Sequence, residues 1–211
     1  MNKQERQRNF EELRTRIITY AGEEFRKHGL KEVTMDDIAQ GLHMSKRTLY
    51  QIFIDKQELI LACIDHFDKL IESHCEEVKS SSSNVLELML KLLEYRVKEL
   101  RSCSSAYFMD MVRYPAVLHH VQSKHARHIF DACVEMNKGV EEGFFLPGLN
   151  FQVIHKAMFD QFIHSIQEHT FDAYRLDELF INLCIVPLRG CCQAKGIELL
   201  DGFMKEHFKI A

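Results

Sequence analysis

Apolar residues recur along this chain at three- and four-residue spacing, the signature of amphipathic helices. Phe10, Leu13, Ile17, Ala21 and Phe25 mark one helical face, and Gly29 ends it as a glycine able to adopt positive φ. Residues 2–9 are polar and charged, and a frayed arm is expected there. Thr34 to Phe53 then reads as two short helices joined by a tight turn. Thr34 is a hydroxyl cap with Asp37 three residues on, and Met35, Ile38, Ala39 and Leu42 follow at helical spacing. His43-Met44 interrupts the pattern. Ser45 caps a second helix with Leu49 and Phe53 on one face and Lys46, Arg47, Thr48, Tyr50 and Gln51 on the others. This is a helix-turn-helix, a motif whose second helix commonly enters the DNA major groove.

Beyond it, Asp55 is a plausible N-cap with Glu58 at the third helical position, and a long helix follows from Lys56 to a run of serines, Ser80 to Ser83. Asn84 with Glu87 restarts a helix. Ser102 to Ser105 is a break, and Tyr114-Pro115 halts a short apolar segment because proline disfavours α geometry in the preceding residue. Helices are predicted over Val117–Val140 and from Asn150 through His169. A last one starts near Asp172–Leu176, bends or breaks around Pro187–Gly190 and resumes to about Phe208. The apolar loop Phe144-Phe145-Leu146-Pro147-Gly148 is expected to be covered. No stretch alternates with period two for long enough to make a strand. The expected fold is all-α, with nine or ten helices. An N-terminal three-helix helix-turn-helix head is joined by a long helix to a larger helical-bundle body, with the domain boundary between residues 1–55 and 56–211.

Charge changes this picture only modestly. The net charge of -4 excludes a generally basic nucleic-acid binder. Residues 1–56 nevertheless hold 11 Lys/Arg against 9 Asp/Glu, and the rest holds 16 against 22. A mildly basic head on an acidic body is the asymmetry expected if only the head meets phosphate. The N-terminus lacks the apolar core of a signal peptide, and the longest clean apolar runs, such as Leu59–Ile64, fall far short of the ~20 residues that span a bilayer. The seven cysteines include no CxxC spacing and read as reduced thiols in the cytoplasm. No nucleophile elbow, P-loop, dinucleotide fingerprint or HExxH motif is present, so an enzyme is not expected, and neither is a cofactor or a metal.

The head resembles the TetR (tetracycline-repressor-like) family of bacterial transcriptional regulators. The residues that carry the resemblance are Ile17, Ala21, Phe25, Gly29, Thr34, Asp37-Ile38-Ala39, Ser45-Lys46, Thr48-Leu49-Tyr50, Phe53 and Lys56-Gln57-Glu58-Leu59. They cover roughly residues 14–61, while the body matches only in length and helical order. The resemblance implies a homodimer with a DNA-binding head and a body for ligand and dimerisation. It further implies a regulator, more specifically a repressor, that binds a palindromic double-stranded operator and is released by a small, apolar effector. The alternatives are a head that binds a protein instead of DNA, and a family-like protein without a small-molecule inducer. Two departures stand out. The family's turn often holds glycine where His43-Met44-Ser45 stands here, and histidine is among the side chains enriched at positive φ. Ile52 stands where relatives often have a group that bonds phosphate.

Arginine grips guanine, and glutamine grips adenine, through two hydrogen bonds each. Lys46, Arg47 and Gln51 are therefore the candidates for base readout, and Thr34, Ser45, Thr48, Tyr50 and Lys56 for phosphate. Thr34 and Ser45 also suffice as plain caps, Tyr50 as a core residue, and Lys46 and Arg47 as solvated charges. In the body, Tyr107, Phe108, Met111, Phe130, Met158, Phe159 and Phe162 are wall material for an apolar ligand, or simply core. Phe151, Ile154, Phe162, Ile166, Leu179, Phe180 and Leu183 give two apolar helices that can pair across a two-fold axis, or be buried within one subunit. The histidines of segment 119–128 are expected to face solvent, although His125 and His128 have the spacing of a metal pair. Cys191-Cys192 invites a redox reading that nothing local supports.

Overall fold

The computed structural model describes residues 2–208. They form ten α-helices and one turn of 3-10 helix, with no strand among them. Helix α1 (Lys3–His28) begins where a frayed arm was expected. Asn2 closes a capping box there: its side chain accepts from the Gln4 N–H, and the Glu5 carboxylate accepts from the Asn2 N–H. The exposed pairs Gln7–Glu11 and Arg8–Glu12 follow at i,i+4. Polar composition reports that this turn has no core to face, and helix formation there needs none. At the other end Gly29 takes φ +91°, and its N–H bonds the Phe25 carbonyl at 2.8 Å.

The chain divides into two compact units, Met1–Glu72 with Ser102–Val121, and Ser73–Arg101 with Gln122–Ala211. The first contains α1, α2 (Met35–Gly41), α3 (Lys46–Ile52), α6 (Ser105–Arg113) and parts of α4 (Lys56–Ser80) and α7 (Pro115–Glu141). Its core is Ile17, Ala21, Phe25, Leu30, Ile38, Leu49, Phe53, Leu59 and Val117. The Thr34 capping box starts α2 and the Ser45 hydroxyl caps α3. Between them His43 takes φ +53°, the left-handed conformation a tight helix-turn-helix corner requires.

The second unit is built on α5 (Val85–Arg101), with α8 (Phe151–Gln167), α9 (Leu176–Cys191), α10 (Ala194–His207) and the remainders of α4 and α7. Leu86, Leu90 and Val97 of α5 are buried with Ile181 and Leu188 of α9 and Leu200 and Met204 of α10. The loop after α7 is covered, as its apolar character demands. Phe145 is fully buried, and its ring occupies the space beside Gly139 that a Cβ would fill, at 2.5 Å. Asp177 is buried yet satisfied, accepting from Arg101 at 2.6 Å and from Arg175 at 3.0 Å. Burial alone would raise its pKa; the two guanidiniums outweigh that and hold it below the usual carboxylate value.

Three boundaries differ from the sequence pattern. Helix α7 begins at Pro115, two residues before Val117, because proline at a first helical position lacks only an N–H that would be unpaired anyway. Helix α8 ends at Gln167, and His169 at φ +56° turns the chain into the 3-10 turn Thr170–Asp172. Pro187 lies inside α9 and does not stop it. The break comes at Cys192-Gln193, where the loop after α7 pairs with the chain. The Leu146 N–H bonds the Cys191 carbonyl and the Gln193 N–H bonds the Phe144 carbonyl, each at 2.8 Å.

An alanine at Gly29 would hold a positive φ and bring its Cβ to 3.0 Å from both Ala106 Cβ and Asp110 Oδ2. Gly29→Ala is expected to destabilise the protein by about 1–3 kcal/mol, read from the urea midpoint. Gly202→Ala, in α10 with nothing within 4 Å, is the control and is expected to be neutral or stabilising by up to about 1 kcal/mol.

Candidate functional site

Helix α3 presents two distinct surfaces. Leu49 and the following Phe53 are fully buried, and Ile52 packs partly against the same core. Lys46, Arg47, Tyr50 and Gln51 are all exposed, and at 100° per residue they span one continuous face. Tyr50 is 49% exposed, so its ring is not a core residue. Arg47 and Gln51 have no hydrogen bond or ion pair among the described residues. The Lys46 ammonium pairs with Asp36 at the start of α2. Thr48 is half-buried, its hydroxyl 2.8 Å from that of Ser45, whose oxygen also accepts the Thr48 N–H. Thr34 and Asp37 bond reciprocally, and the Thr34 hydroxyl and N–H hold the Asp37 carboxyl below its usual pKa. Thr34 and Ser45 therefore do serve as caps, which orients α2 and α3.

The entry to this motif is clamped. Buried Asp110, on α6, accepts the Lys31 N–H at 2.7 Å. Lys56 donates to the Lys31 carbonyl at 3.1 Å and lies 6.0 Å from the Phe25 ring centroid. Burial pulls the Lys56 pKa down, against the opposing pull of Asp110, Asp37 and Glu32. One of its three N–H donors is committed to the loop, and two remain. The Ser104 N–H, at the head of α6, bonds the Arg26 carbonyl at 2.8 Å, and Arg16 donates to the Leu42 carbonyl at the end of α2. Tyr107 and Met111 of α6 pack against the head's core, and Phe108 is buried.

The other pocket candidates lie in the second unit. Phe130 is 63% exposed on α7, while Met158, Phe159 and Phe162 are half-buried on α8. Of the candidate dimer residues, Phe151 and Ile166 are buried within the subunit. Ile154, Phe162, Leu179, Phe180 and Leu183 are half-buried, and Phe162 meets Phe180 edge to face at 5.2 Å. An open groove of about 570 Å³ lies elsewhere, lined by Ser83, Asn84, Glu142, Phe144, Lys195 and Leu199. The histidine segment does not simply face solvent. His120 bonds Asp65 at 2.8 Å in the first unit. His125 stacks on Phe159 with ring centroids 3.7 Å apart, and burial with its neighbours pushes its pKa down to about 4. Cys191 and Cys192 are both buried with pKa values raised by that burial, Cys192 to about 11, which disfavours the reactive thiolate.

Residues 17–63, which contain the whole helix-turn-helix and its flanks, match the family model described as bacterial regulatory proteins, tetR family. Over those residues the head of the chain is similar to the tetR family. It is 22% identical over 152 residues to the HTH-type transcriptional repressor KstR2 of Mycobacterium tuberculosis, covering 70% of this chain and 76% of that protein. The solved structure of the ketosteroid transcriptional regulator KstR2 superposes at TM-score 0.53, with 19% identity over 85% of this chain and 95% of that one. A putative transcriptional regulator from Saccharomonospora viridis, solved with choline, gives 0.68 at 16% identity, over 87% and 99% of the two chains. At these identities the structures establish a shared fold.

The residues that sequence reasoning missed are those acting at long separation, above all Asp110 and Arg16. An aspartate inside the apolar run Tyr107–Val112 was the one available signal. His125 carries a testable consequence. The group is held neutral, so the folded state resists a proton that the unfolded chain accepts below the ordinary imidazole value of 6.5. Its contribution is intact above that value and is lost as pH falls toward about 4. The charged groups acting on it are His155, His128 and Arg96, which oppose protonation, and Asp160, which favours it. His125→Phe keeps the stacked ring. Its urea midpoint is expected to fall less than that of the parent between pH 7 and pH 4.5, and equal falls would refute the assignment.

Proposed function

We propose that this chain is a TetR-family transcriptional regulator, a DNA-binding repressor that acts as a homodimer in the cytoplasm. Its two α3 helices read successive major grooves of a palindromic operator, and a small ligand of largely apolar body releases them. The observation that carries this reading is the exposed face of Lys46, Arg47, Tyr50 and Gln51 on a helix pinned from behind by Leu49 and Phe53. Arg47 and Gln51 are the base readers, because a guanidinium or amide that is not committed within the chain keeps its paired donors and acceptors for a base edge. Lys46 joins them at the cost of its ion pair with Asp36. Thr48, Tyr50 and the two remaining donors of Lys56 meet phosphate, while Thr34 and Ser45 hold the helix starts at the backbone.

Dimerisation is assigned to α8 and α9. Val153 and Val186 are 61% and 67% exposed, beside half-buried Leu179 and Leu183, an apolar surface suited to a four-helix interface. A monomer would read only one half-site, so operator symmetry and the dimer go together. KstR2 is itself named a repressor, which supports that sign of regulation here. Release requires a ligand whose affinity differs between DNA-competent and incompetent arrangements of the dimer.

Selection of bound DNA from a random pool is expected to return a palindrome with half-sites about one helical turn apart. On that site Arg47→Ala and Gln51→Ala should each lose about 1–3 kcal/mol of binding and relax preference at one base position per half-site. Affinity should fall steeply with added salt, with a slope set by the phosphates neutralised. Unchanged affinity in both variants, or a partner whose binding ignores salt, would replace DNA with a protein target for the head.

A further inference from the structure

Most charged groups inside or bordering the second unit are matched. Asp177 has Arg101 and Arg175, Glu135 has Lys79 and Lys138, Glu87 has Lys91, and Asp201 has Arg189. One polar atom is not. His125 Nε2 is buried and has no hydrogen-bond partner among the described residues. The ring is not loosely placed, since it lies nearly parallel to Phe159, at 16° and 3.7 Å between centroids. A buried nitrogen without a partner is a standing free-energy cost that a bound group can relieve.

The surroundings say what kind of group. Arg96, on α5, acts electrostatically on both His125 and the half-buried thiol of Cys184 on α9. It is exposed, and no ion pair of its own is found among the described residues. His155 stands one helical turn before Phe159 on α8, so both share a face. Asp160 is the carboxylate acting on the His125 ring, and Lys156 already holds it at 2.6 Å. Arg96 of α5 and His155 of α8 thus both act on the ring of His125 on α7, which is stacked on Phe159, and the carboxylate that acts on that ring is already paired. Both imidazoles are held toward the neutral form, so Arg96 alone supplies the charge of this site, and the site repels a cation. Its fork of guanidinium donors and its imidazole N–H match a carboxylate, and one permanent positive charge balances one negative charge.

We propose that the second unit binds a monocarboxylate with an apolar body, its head group taken by Arg96 and His125 Nε2, its body laid against Phe159 and Cys184. This rests on the ligand-released reading above and names the chemical class of the ligand. His155 closes the head-group side. Phe162, stacked edge to face on Phe180, extends the apolar wall.

The test is calorimetric titration of the full chain with octanoate, 1-octanol and octylamine, which share a tail and differ in head group. Octanoate is expected to bind at least about tenfold more tightly than either of the others. Arg96→Gln, at an exposed position, and His125→Phe, which keeps the stack, are each expected to weaken octanoate about tenfold or more and to leave octanol unchanged. The proposal is overturned if octanol or octylamine matches octanoate, if both variants bind octanoate like the parent, or if about 1 mM octanoate gives no binding at all. Release of the selected operator is then followed by fluorescence anisotropy. Octanoate that binds as expected but leaves the operator bound upholds the carboxylate site and sinks ligand release. Release by octanol or octylamine alone does the reverse.

Discussion

The structure depends first on the burial of Leu49 and Phe53 against Ile17, Ala21, Phe25 and Ile38. A seven-residue helix such as α3 has no stability of its own in water, because nucleation costs more than so few hydrogen bonds return. It exists because one face is sealed into a core shared with α1, α2 and the start of α4. The same burial decides the direction of Arg47 and Gln51: with one face fixed inward, the opposite face can only point out. The exposed side chains of a helix this short are therefore carried on a backbone as fixed as the core behind it. The Ser45 cap and the left-handed His43 corner then set where the helix begins and at what angle the chain enters it.

A second constraint lies at the junction between α1 and α2. Three backbone groups there, on Arg26 and Lys31, are taken by Ser104, Asp110 and Lys56. Ser104, the N-cap of α6, and Asp110, within α6, sit almost 80 residues further along and belong to the same compact unit as the helix-turn-helix. The α6 backbone and the Asp110 carboxylate thus act as part of the head. A shift of α6 by even an ångström would stretch hydrogen bonds of 2.7 and 2.8 Å, so α6 and the junction between α1 and α2 are held in one arrangement. Gly29 is the position that admits this contact, since a side chain there would meet both Ala106 and Asp110.

The second unit follows a different logic. Its helices are long and apolar enough to form readily, and what needs arranging is how their polar groups survive inside. Asp177 is satisfied by two arginines, Glu135 by two lysines and the Cys192 thiol by the Leu188 carbonyl. Among the described residues His125 is the exception: its Nε2 is buried without a partner, its ring is stacked on Phe159, and Arg96 and His155 act on it electrostatically. A carboxylate-bearing ligand would supply there the acceptor that the chain itself withholds.

Periodicity alone determined the all-α class, the helix order, the caps at Thr34, Ser45 and Asn150, and the outward face of α3. These follow from spacing and from side chains acting within four residues of themselves, which a linear sequence displays directly. It also made the family legible, because the head's motif is local and dense. Where the reading went astray, the deciding partner was distant. Pro187 looked like a helix breaker, but the break came where Phe144 and Leu146 pair with Gln193 and Cys191, some 45 residues apart in the chain. His125 looked solvated, but Phe159 covers it from another helix. Asp110 and Lys56 brace Lys31 across gaps of 79 and 25 residues. Tertiary structure alone decided these points, because hydrogen bonds and burial depend on which groups meet in space, and no periodicity encodes that meeting.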